Sequence, residues 1–318
     1  MSDGQLQNLP AYHQLPVREG APAGSAWGVF GDDDQVGTVN LLTPDVVRHA
    51  AGLVRQGRVF ALNAPVDLLN PPLYGRGAPR HTLVEGQNSR DDYLDNFWPQ
   101  ASSQWDGLRH IRHPRDGFYN GTPDQDVSRE PGSRLGIEHW ARRGIAGRGV
   151  LLDVARFLRE RGQPLDPLSS TPIPVETLEE VARWEGVEFR RGDILLLHYG
   201  WLSFYMEAPT EVRERLAREL RAPGIQPGKG TAAWLWDHHV AAIASDGPST
   251  EPWPPTPELG FLHFQLIPLL GMPIGELWYL SELAEDCARD GVYEFLLTSA
   301  PLHVPGGVGS PPNALAIK

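Results

Sequence analysis

The sequence predicts one α/β domain built around a mixed sheet. Short apolar runs typical of buried strands recur along the chain, and amphipathic segments with helical spacing lie between them. The chain has 318 residues, 41% of them hydrophobic and 21% charged, so it is long enough to bury a large core. We find no internal repeat that would indicate a repeat architecture.

The N-terminal part predicts an arm, a helix and a strand. Residues 1–25 are rich in Gly, Pro and Gln without periodicity, and we expect an arm or partly ordered extension there. Thr43 and Pro44 supply an N-cap and a proline at the first helical position, and Gly57 closes the helix. The apolar run within residues 58–67 predicts the first strand.

Residues 70–134 have little periodicity but much Gly, Pro, Asn, Asp and aromatic content. An irregular segment of this length is usually functional or disordered. Its aromatic side chains favour a functional segment: Tyr74, Tyr93, Trp98, Trp105 and Tyr119.

The remaining chain alternates between strands and helices, which is the main reason for the α/β prediction. Apolar runs predict strands over residues 149–155, 193–199, 240–244 and 292–298. Helical spacing predicts helices over residues 178–185, 207–222, 231–238, 260–270 and 281–289.

Composition excludes several classes of function. The formal net charge of −12 argues against nucleic acid and against an anionic membrane surface. Cys287 is the only cysteine, so no intrachain disulfide can form, and neither a secretory signal nor a long apolar run is visible. We therefore expect a cytoplasmic protein. The 10 Trp, 30 Pro and 34 Gly suggest fixed turns around aromatic-walled cavities, as in small-molecule sites.

The segment 104–110 carries the strongest chemical signal. It places Asp106 and His110 four positions apart, where they share a face of a helix or converge from a loop. Metal-assisted hydrolysis needs such a pair, because an anionic oxygen holds a divalent cation while an imidazole moves a proton beside it.

Four further residues are candidates for the same site, each with a structural alternative. His263 lies in an apolar run, either as a ligand or as a core histidine bonded to a carbonyl. Glu276 lies in another buried-looking run and needs a cation or an arginine as partner. Asp246 follows a strand, where a carboxylate often caps the turn. His113 either lines the site or is a solvated loop residue.

Together these residues resemble the cyclase family of metal-dependent hydrolases, which includes bacterial kynurenine formamidase and isatin hydrolase. The segment 104–110 carries the resemblance together with His263 and Glu276. Further motifs resemble a long-form branch, and they lie at residues 26–43, 147–153, 244–248, 274–278 and 305–311. The resemblance implies a catalytic domain over residues 26–318 with a swivelling β/β/α fold, and a homodimer.

The family's metal signature, His-x-Gly-Thr-His-x-Asp-x-Pro-x-His, aligns here with glutamine in place of both leading histidines. Its leading histidines fall on Gln100 and Gln104, its aspartate on Asp106 and its last histidine on His110. The later ligands fall on His263 and Glu276. Glutamine is a weaker zinc ligand than histidine, so the resemblance implies one divalent ion, Zn²⁺ or Mn²⁺, rather than two. Asp106, His263 and Glu276 would hold it, and Gln104 would assist through its oxygen or a bridging water.

The resemblance implies hydrolysis of a cyclic amide, an N-formyl amide or a lactone, with a metal-bound water as nucleophile and His110 as general acid and base. Trp105, Tyr119 and Trp27 are candidate walls for a flat small-molecule substrate, with His113 and Asp246 as further substrate-binding candidates. Two alternatives stay open: a metal-free binding protein or degenerate homologue, and a lyase or isomerase on the same scaffold.

Overall fold

A computed structural model describes residues 8–128, 130 and 132–318. The strands are β1 (Val59–Ala61), β2 (Arg80–Glu85), β3 (Arg90–Asp95), β4 (Gln104–Asp106), β5 (Ile145–Leu152), β6 (Pro172–Ile173), β7 (Ile194–Leu197), β8 (Gly224–Ile225), β9 (Ala242–Ser245), β10 (Ile274–Glu276), β11 (Glu294–Ser299), β12 (Gly309–Ser310) and β13 (Ala314–Ile317). The α-helices are α1 (Pro44–Ala51), α2 (Glu138–Arg143), α3 (Val154–Glu160), α4 (Val175–Glu185), α5 (Trp201–Glu207), α6 (Thr210–Arg218), α7 (Lys229–Asp237), α8 (His263–Gln265) and α9 (Ser281–Asp290).

Within the described residues, nine strands form one mixed sheet in the order β1-β13-β11-β5-β7-β9-β10-β4-β12. The central strands β5, β7, β9 and β10 are parallel, whereas the neighbours on both sides pair antiparallel. Strands β7 and β9 are buried along their whole length, so the core lies on both faces of this central part. The mixed α/β class predicted from the sequence is confirmed.

Most of the predicted elements are present, with bounds that differ by a few residues. Strand β1 occupies only the start of the predicted 58–67 strand, and α1 ends at Ala51 with Gly52 as its C-cap. The predicted helix over 207–222 is present as α6 with narrower bounds, because α5 ends before Pro209 and α6 begins after it. Proline disfavours the helical conformation of the residue before it, and Ala208 is extended.

Residues 70–134 contain more regular structure than the sequence pattern indicated. Strands β2 and β3 form an antiparallel hairpin whose side chains are almost all exposed on both faces. Its apolar side chains Leu83, Val84, Tyr93 and Leu94 are among the exposed ones. A hairpin without a buried face shows no alternation of polar and apolar residues, which is why the pattern missed it.

The described part of the N-terminal arm packs against α7. The indole nitrogen of Trp236 donates to the carbonyl of Pro10 (2.8 Å), and the backbone N–H of Tyr12 donates to Asp237 (2.7 Å). Leu15 is buried in the core. The first seven residues of the predicted arm lie outside the described part. No helix among the described residues is long and apolar enough to span a membrane.

Candidate metal centre

The pairing of β4 with β10 brings together residues that are distant in sequence. Gln104 lies directly opposite Glu276, and Asp106 lies opposite Ile274. Because side chains alternate along a strand, Gln104 and Asp106 share one face of β4 and Trp105 takes the other. All three residues of β4 are buried. The sheet register therefore places two carboxylates and an amide on one buried surface.

His263 completes this cluster from the segment that follows β9. It begins α8, and a π-helical turn, Leu266–Leu270, continues directly from that helix. Its Nε2 lies 3.2 Å from Glu276 Oε1 and 3.7 Å from Asp106 Oδ2. One ligand atom from each of Asp106, His263 and Glu276 can be chosen so that all lie within 4.8 Å of one another, and all three residues are buried. The structure thus assembles the predicted ligand triad.

Glu251 is a member of the cluster that the sequence analysis missed. Its carboxylate lies 2.8 Å from Nδ1 of His263 and also accepts the backbone N–H of that residue (3.3 Å). Glu251 is fully buried. An ionised carboxylate only accepts, so Nδ1 carries the proton and Nε2 is left for another partner. No motif marks Glu251 in the sequence, although its place shortly after a buried strand is a typical position for a site residue.

Gln104 contacts the two carboxylates through its amide nitrogen. The Nε2 group donates to Glu276 Oε2 at 2.9 Å and to Asp106 Oδ1 at 3.2 Å. Its Oε1 atom is buried without a hydrogen-bond partner. The side chain is therefore in the cluster, with one polar atom still unsatisfied. Gln100 packs against β12, since a Cβ atom on Gly309, the residue opposite Asp106, would be 2.8 Å from its amide nitrogen.

His110 lies on a turn that leaves β4, rather than on a helix. Its backbone N–H donates to Gly107 (2.9 Å), and its Nε2 is 3.6 Å from Asp106 Oδ1. Arg109 holds this turn by donating to the carbonyls of Arg134 (2.6 Å) and Gly306 (2.6 Å). The side chain of His110 keeps 21% of its surface exposed, so it lies at the edge of the buried cluster.

The electrostatics separate the roles of the two histidines. Burial lowers the pKa of His110 more than Asp106 raises it, and the positive charges of His263 and Arg76 lower it further. His110 is therefore neutral at pH 7 and ready to accept a proton. Burial also disfavours the charge on His263, but Glu251, Asp106 and Glu276 outweigh it and raise that pKa well above its usual value.

The carboxylates also differ from each other. Burial, reinforced by Asp106, raises the pKa of Glu276 to about 7. Burial acts in the same direction on Asp106, yet the neighbouring His110 and His263 bring its pKa below the usual value. Asp106 is thus the firmly ionised member of the pair, whereas Glu276 holds a proton more readily.

The expected aromatic walls lie elsewhere in the molecule. Trp105 is fully buried on the opposite face of β4, where its indole donates to Ser299 (2.9 Å). Tyr119 is also fully buried and donates to Asp34 (3.0 Å), while Trp27 donates to the carbonyl of Pro268 (2.8 Å). These three placements are core positions, so the prediction that they line the site is not supported by their contacts. Strand alternation explains the first case, because a neighbour of Asp106 in sequence points away from it.

A different set of aromatic rings forms a row that contacts the cluster through Phe261. Phe261 stacks on His263 with the ring centres 4.5 Å apart and the planes 5° from parallel. Each ring of the set contacts the next, and its members are Tyr74, Trp253, Phe261, Phe264 and His113. His113 is at the far end of this row of rings, through a ring contact with Phe264 at 6.0 Å, and its role toward a substrate stays a prediction.

Asp246 has a structural role that differs from the turn cap given as its alternative in the sequence analysis. It is fully buried and accepts backbone N–H groups of Tyr199 (2.6 Å) and Leu202 (3.4 Å) at the start of α5. His198 lies 4.0 Å away and is bonded in turn to Asp153 (2.8 Å). These contacts fix the start of the segment that leads to Glu251, rather than a place for a substrate.

The residues of the cluster fit a divalent cation. Two buried carboxylates and one imidazole are a donor set used for Zn²⁺ and Mn²⁺. Asp106, Glu251 and Glu276 supply three carboxyl groups against the single imidazole of His263. A bound cation would stabilise this excess of buried acidic groups. The unpartnered oxygen of Gln104 is a neutral donor that a hard cation accepts.

Residues 55–252 match the model of a protein family described as "Putative cyclase", which covers more than half of the chain. The match includes Asp106, His110 and Glu251 and ends before His263. A solved structure described as a novel cyclase is 33% identical with a TM-score of 0.82, and the alignment covers 92% of this chain and 99% of that chain.

Two isatin hydrolase structures share the fold. One, bound to the product analogue thioisatinate, is 15% identical with a TM-score of 0.57, and the alignment covers 84% of this chain and 93% of that one. Isatin hydrolase A from Ralstonia solanacearum is 17% identical with a TM-score of 0.58, and the alignment covers 87% and 98%. A search of curated proteins finds no significant match. The family match and the 33% identity over nearly the whole length show that the chain belongs to the cyclase family.

Proposed function

We propose that the protein is a metal-dependent hydrolase that opens a cyclic amide, an N-formyl amide or a lactone. The observation that carries the proposal is the buried triad of Asp106, His263 and Glu276, whose ligand atoms lie within 4.8 Å of one another. The isatin hydrolases on the same fold support the reaction class. The metal when bound would supply Lewis acidity, which activates water and polarises a carbonyl.

The residues of the chain have distinct roles in this proposal. Asp106, Glu276 and Nε2 of His263 would hold the ion, with Glu251 fixing the histidine ring through Nδ1. His110 is neutral and only partly exposed, so it accepts a proton from the attacking water and returns it to the leaving nitrogen or oxygen.

One observation favours a second candidate, a metal-free binding protein. The amide nitrogen of Gln104 already bonds to both carboxylates, as a cation would. A glutamine can also turn its amide and offer the oxygen instead, so the same residue suits either candidate. Occupancy of the site by metal therefore separates the two.

The test is metal analysis of the purified protein combined with an activity panel. We expect about one equivalent of Zn²⁺ or Mn²⁺, and hydrolysis of at least one N-formyl aromatic, isatin or lactone that a chelator abolishes. A content below about 0.1 equivalent after growth with both metals would contradict the hydrolase and favour the binding protein. Chelator-sensitive conversion without addition of water to the product would instead indicate a lyase or isomerase.

We also propose a homodimer in the cytoplasm, on the basis of the family resemblance. Light scattering coupled to gel filtration gives the mass in solution, and a mass near that of one 35.1 kDa chain would contradict the dimer.

A further inference from the structure

Arg76 is a cation beside a site otherwise rich in carboxylates. It lies in the loop between β1 and β2, immediately after a 3₁₀ turn, Leu73–Gly75. Its Nη1 donates to the carbonyl of Gln100, and its guanidinium carbon lies 4.9 Å from the centre of the Tyr74 ring. These two contacts fix the guanidinium next to the segment that leads into β4.

Two further contacts tie this loop to the cluster. The hydroxyl of Tyr74 donates to the carbonyl of Pro248 (2.9 Å), and its ring packs edge-on against Trp253 at 5.0 Å. Pro248 and Trp253 flank the stretch that supplies Glu251. Tyr74 thus connects the loop that carries Arg76 to the segment that contains Glu251. Arg76 lies close enough to Asp106 and His110 for its charge to act on both.

Arg76 also has unused hydrogen-bonding capacity. A guanidinium carries five N–H donors, and the described residues accept from Arg76 only at the Gln100 carbonyl. They provide no carboxylate partner for it either, and the side chain is only partly buried. A half-buried arginine with a fixed head and free donors is suited to bind a planar anion by two parallel hydrogen bonds.

The chemistry of the proposed reaction produces such an anion. Hydrolysis forms a bond between the water oxygen and the acyl carbon, breaks the acyl bond to nitrogen or oxygen, and transfers the water proton to that leaving atom. The new carboxylic acid then loses its own proton to solvent near neutral pH. In a site with Asp106, Glu251 and Glu276, a fixed cation at the edge of the carboxylates would add to the attraction that a bound metal ion exerts on this product.

We infer that Arg76 is a substrate-binding residue that pairs with the carboxylate of an acyl compound, either one present in the substrate or the one released by ring opening. The inference rests on the proposed hydrolytic function for the origin of the anion. It names the residue that would bind the carboxylate such a substrate carries or releases.

The test is calorimetric titration with benzoate and with benzamide, its neutral analogue of the same shape. We compare the wild type with Arg76→Met, Arg76→Lys and Arg80→Met, each with Zn²⁺ added and again after chelation. Arg80 is the matched control, because it lies on the exposed hairpin paired with Asp95 and its removal changes the net charge equally.

Arg76→Met is expected to weaken benzoate binding about 10-fold or more and to leave benzamide unchanged, with Arg76→Lys in between and Arg80→Met within about twofold of wild type. Three results would overturn the inference. They are equal benzoate affinity in Arg76→Met and wild type, no benzoate binding by the wild type at about 10 mM, or an equal loss of affinity for benzamide. Circular dichroism verifies folding, and Arg76→Lys tests the inference if Arg76→Met unfolds. The titrations after chelation do not depend on turnover, so failure of the hydrolase proposal remains distinguishable.

Discussion

Glu251 and His263 form a fully buried pair in which the carboxylate lies 2.8 Å from Nδ1 of the imidazole. This contact fixes the ring so that Nε2 faces Glu276 at 3.2 Å. A carboxylate behind a histidine is the usual arrangement that orients a metal-binding imidazole and increases its basicity. The pair thus joins the loop after β9 to the ligand triad.

Replacing Glu251 by Gln is expected to weaken metal binding about 10-fold or more, because the neutral amide no longer increases the basicity of His263. Competition with a chromophoric zinc chelator measures the affinity. Glu258→Gln is the matched control, since Glu258 is exposed a few residues further along the same loop. Unchanged zinc affinity in the Glu251 variant would remove Glu251 from the centre.

Replacing His110 by Ala is expected to lower kcat by about 100- to 10,000-fold while metal content stays at the wild-type level. The reason is that His110 lies 3.6 Å from Asp106 as a proton carrier and is not part of the ligand triad. The measurements are steady-state kinetics on the best substrate of the panel and metal analysis, with His81→Ala on the exposed hairpin as control. Retained turnover would rule out the proposed role.

Replacing Gln104 by Leu is expected to destabilise the metal-free protein by about 1–3 kcal/mol, because Asp106 and Glu276 lose a shared buried donor. Added Zn²⁺ should recover much of that loss, since a cation between the carboxylates replaces the lost donor. Thermal unfolding with and without Zn²⁺ measures both effects. A variant as stable as wild type without metal would show that the amide contributes nothing.

Glu185 on α4 predicts a pH effect away from the metal centre. Burial, assisted by Asp153, raises its pKa from 4.5 to about 9, although it accepts the backbone N–H of Asp153. A carboxyl whose pKa is raised in the folded state contributes stability fully below its unfolded pKa, and this contribution is lost as the pH rises from about 4.5 to about 9.

Glu185→Gln is therefore expected to flatten the decline of Tm between pH 5 and pH 9 and to raise Tm by several degrees at the alkaline end. Glu180→Gln on the exposed side of the same helix controls for the change in net charge. Parallel Tm profiles for wild type and Glu185→Gln would show that Glu185 is ionised in the fold without penalty.

The sequence was sufficient for the alternating strands and helices and for selecting Asp106, His263 and Glu276, which the structure brings together. Buried parallel strands are continuous apolar runs, and Asp106, His263 and Glu276 are polar residues in apolar surroundings, so each leaves a local signal. Glu251 and the aromatic rings near the triad leave none. Their places depend on the loop after β9 and on α8, which no short pattern describes.

Trp105 lies on the face of β4 opposite the cluster, although the sequence analysis expected it to line the site. Proximity in sequence to Asp106 suggested a shared pocket, but in a strand adjacent side chains point to opposite faces. From its spacing, the segment 104–110 fits a helix or a loop, and in the structure its first three residues are a strand. Only the pairing partner, β10, determines which face becomes the site.

The order of the sheet has a consequence for how the protein is made. Among the strands of the described residues, β4 pairs only with β10 and β12, which come from the far end of the chain. During synthesis, Asp106 and His110 leave the ribosome long before either neighbour exists, whereas β5, β7 and β9 can already pair. Contacts between such distant segments form slowly, because closing a long loop costs entropy before any contact is gained. The candidate metal centre is therefore expected to be among the last parts of the nascent chain to mature, so metal uptake reports on completed folding.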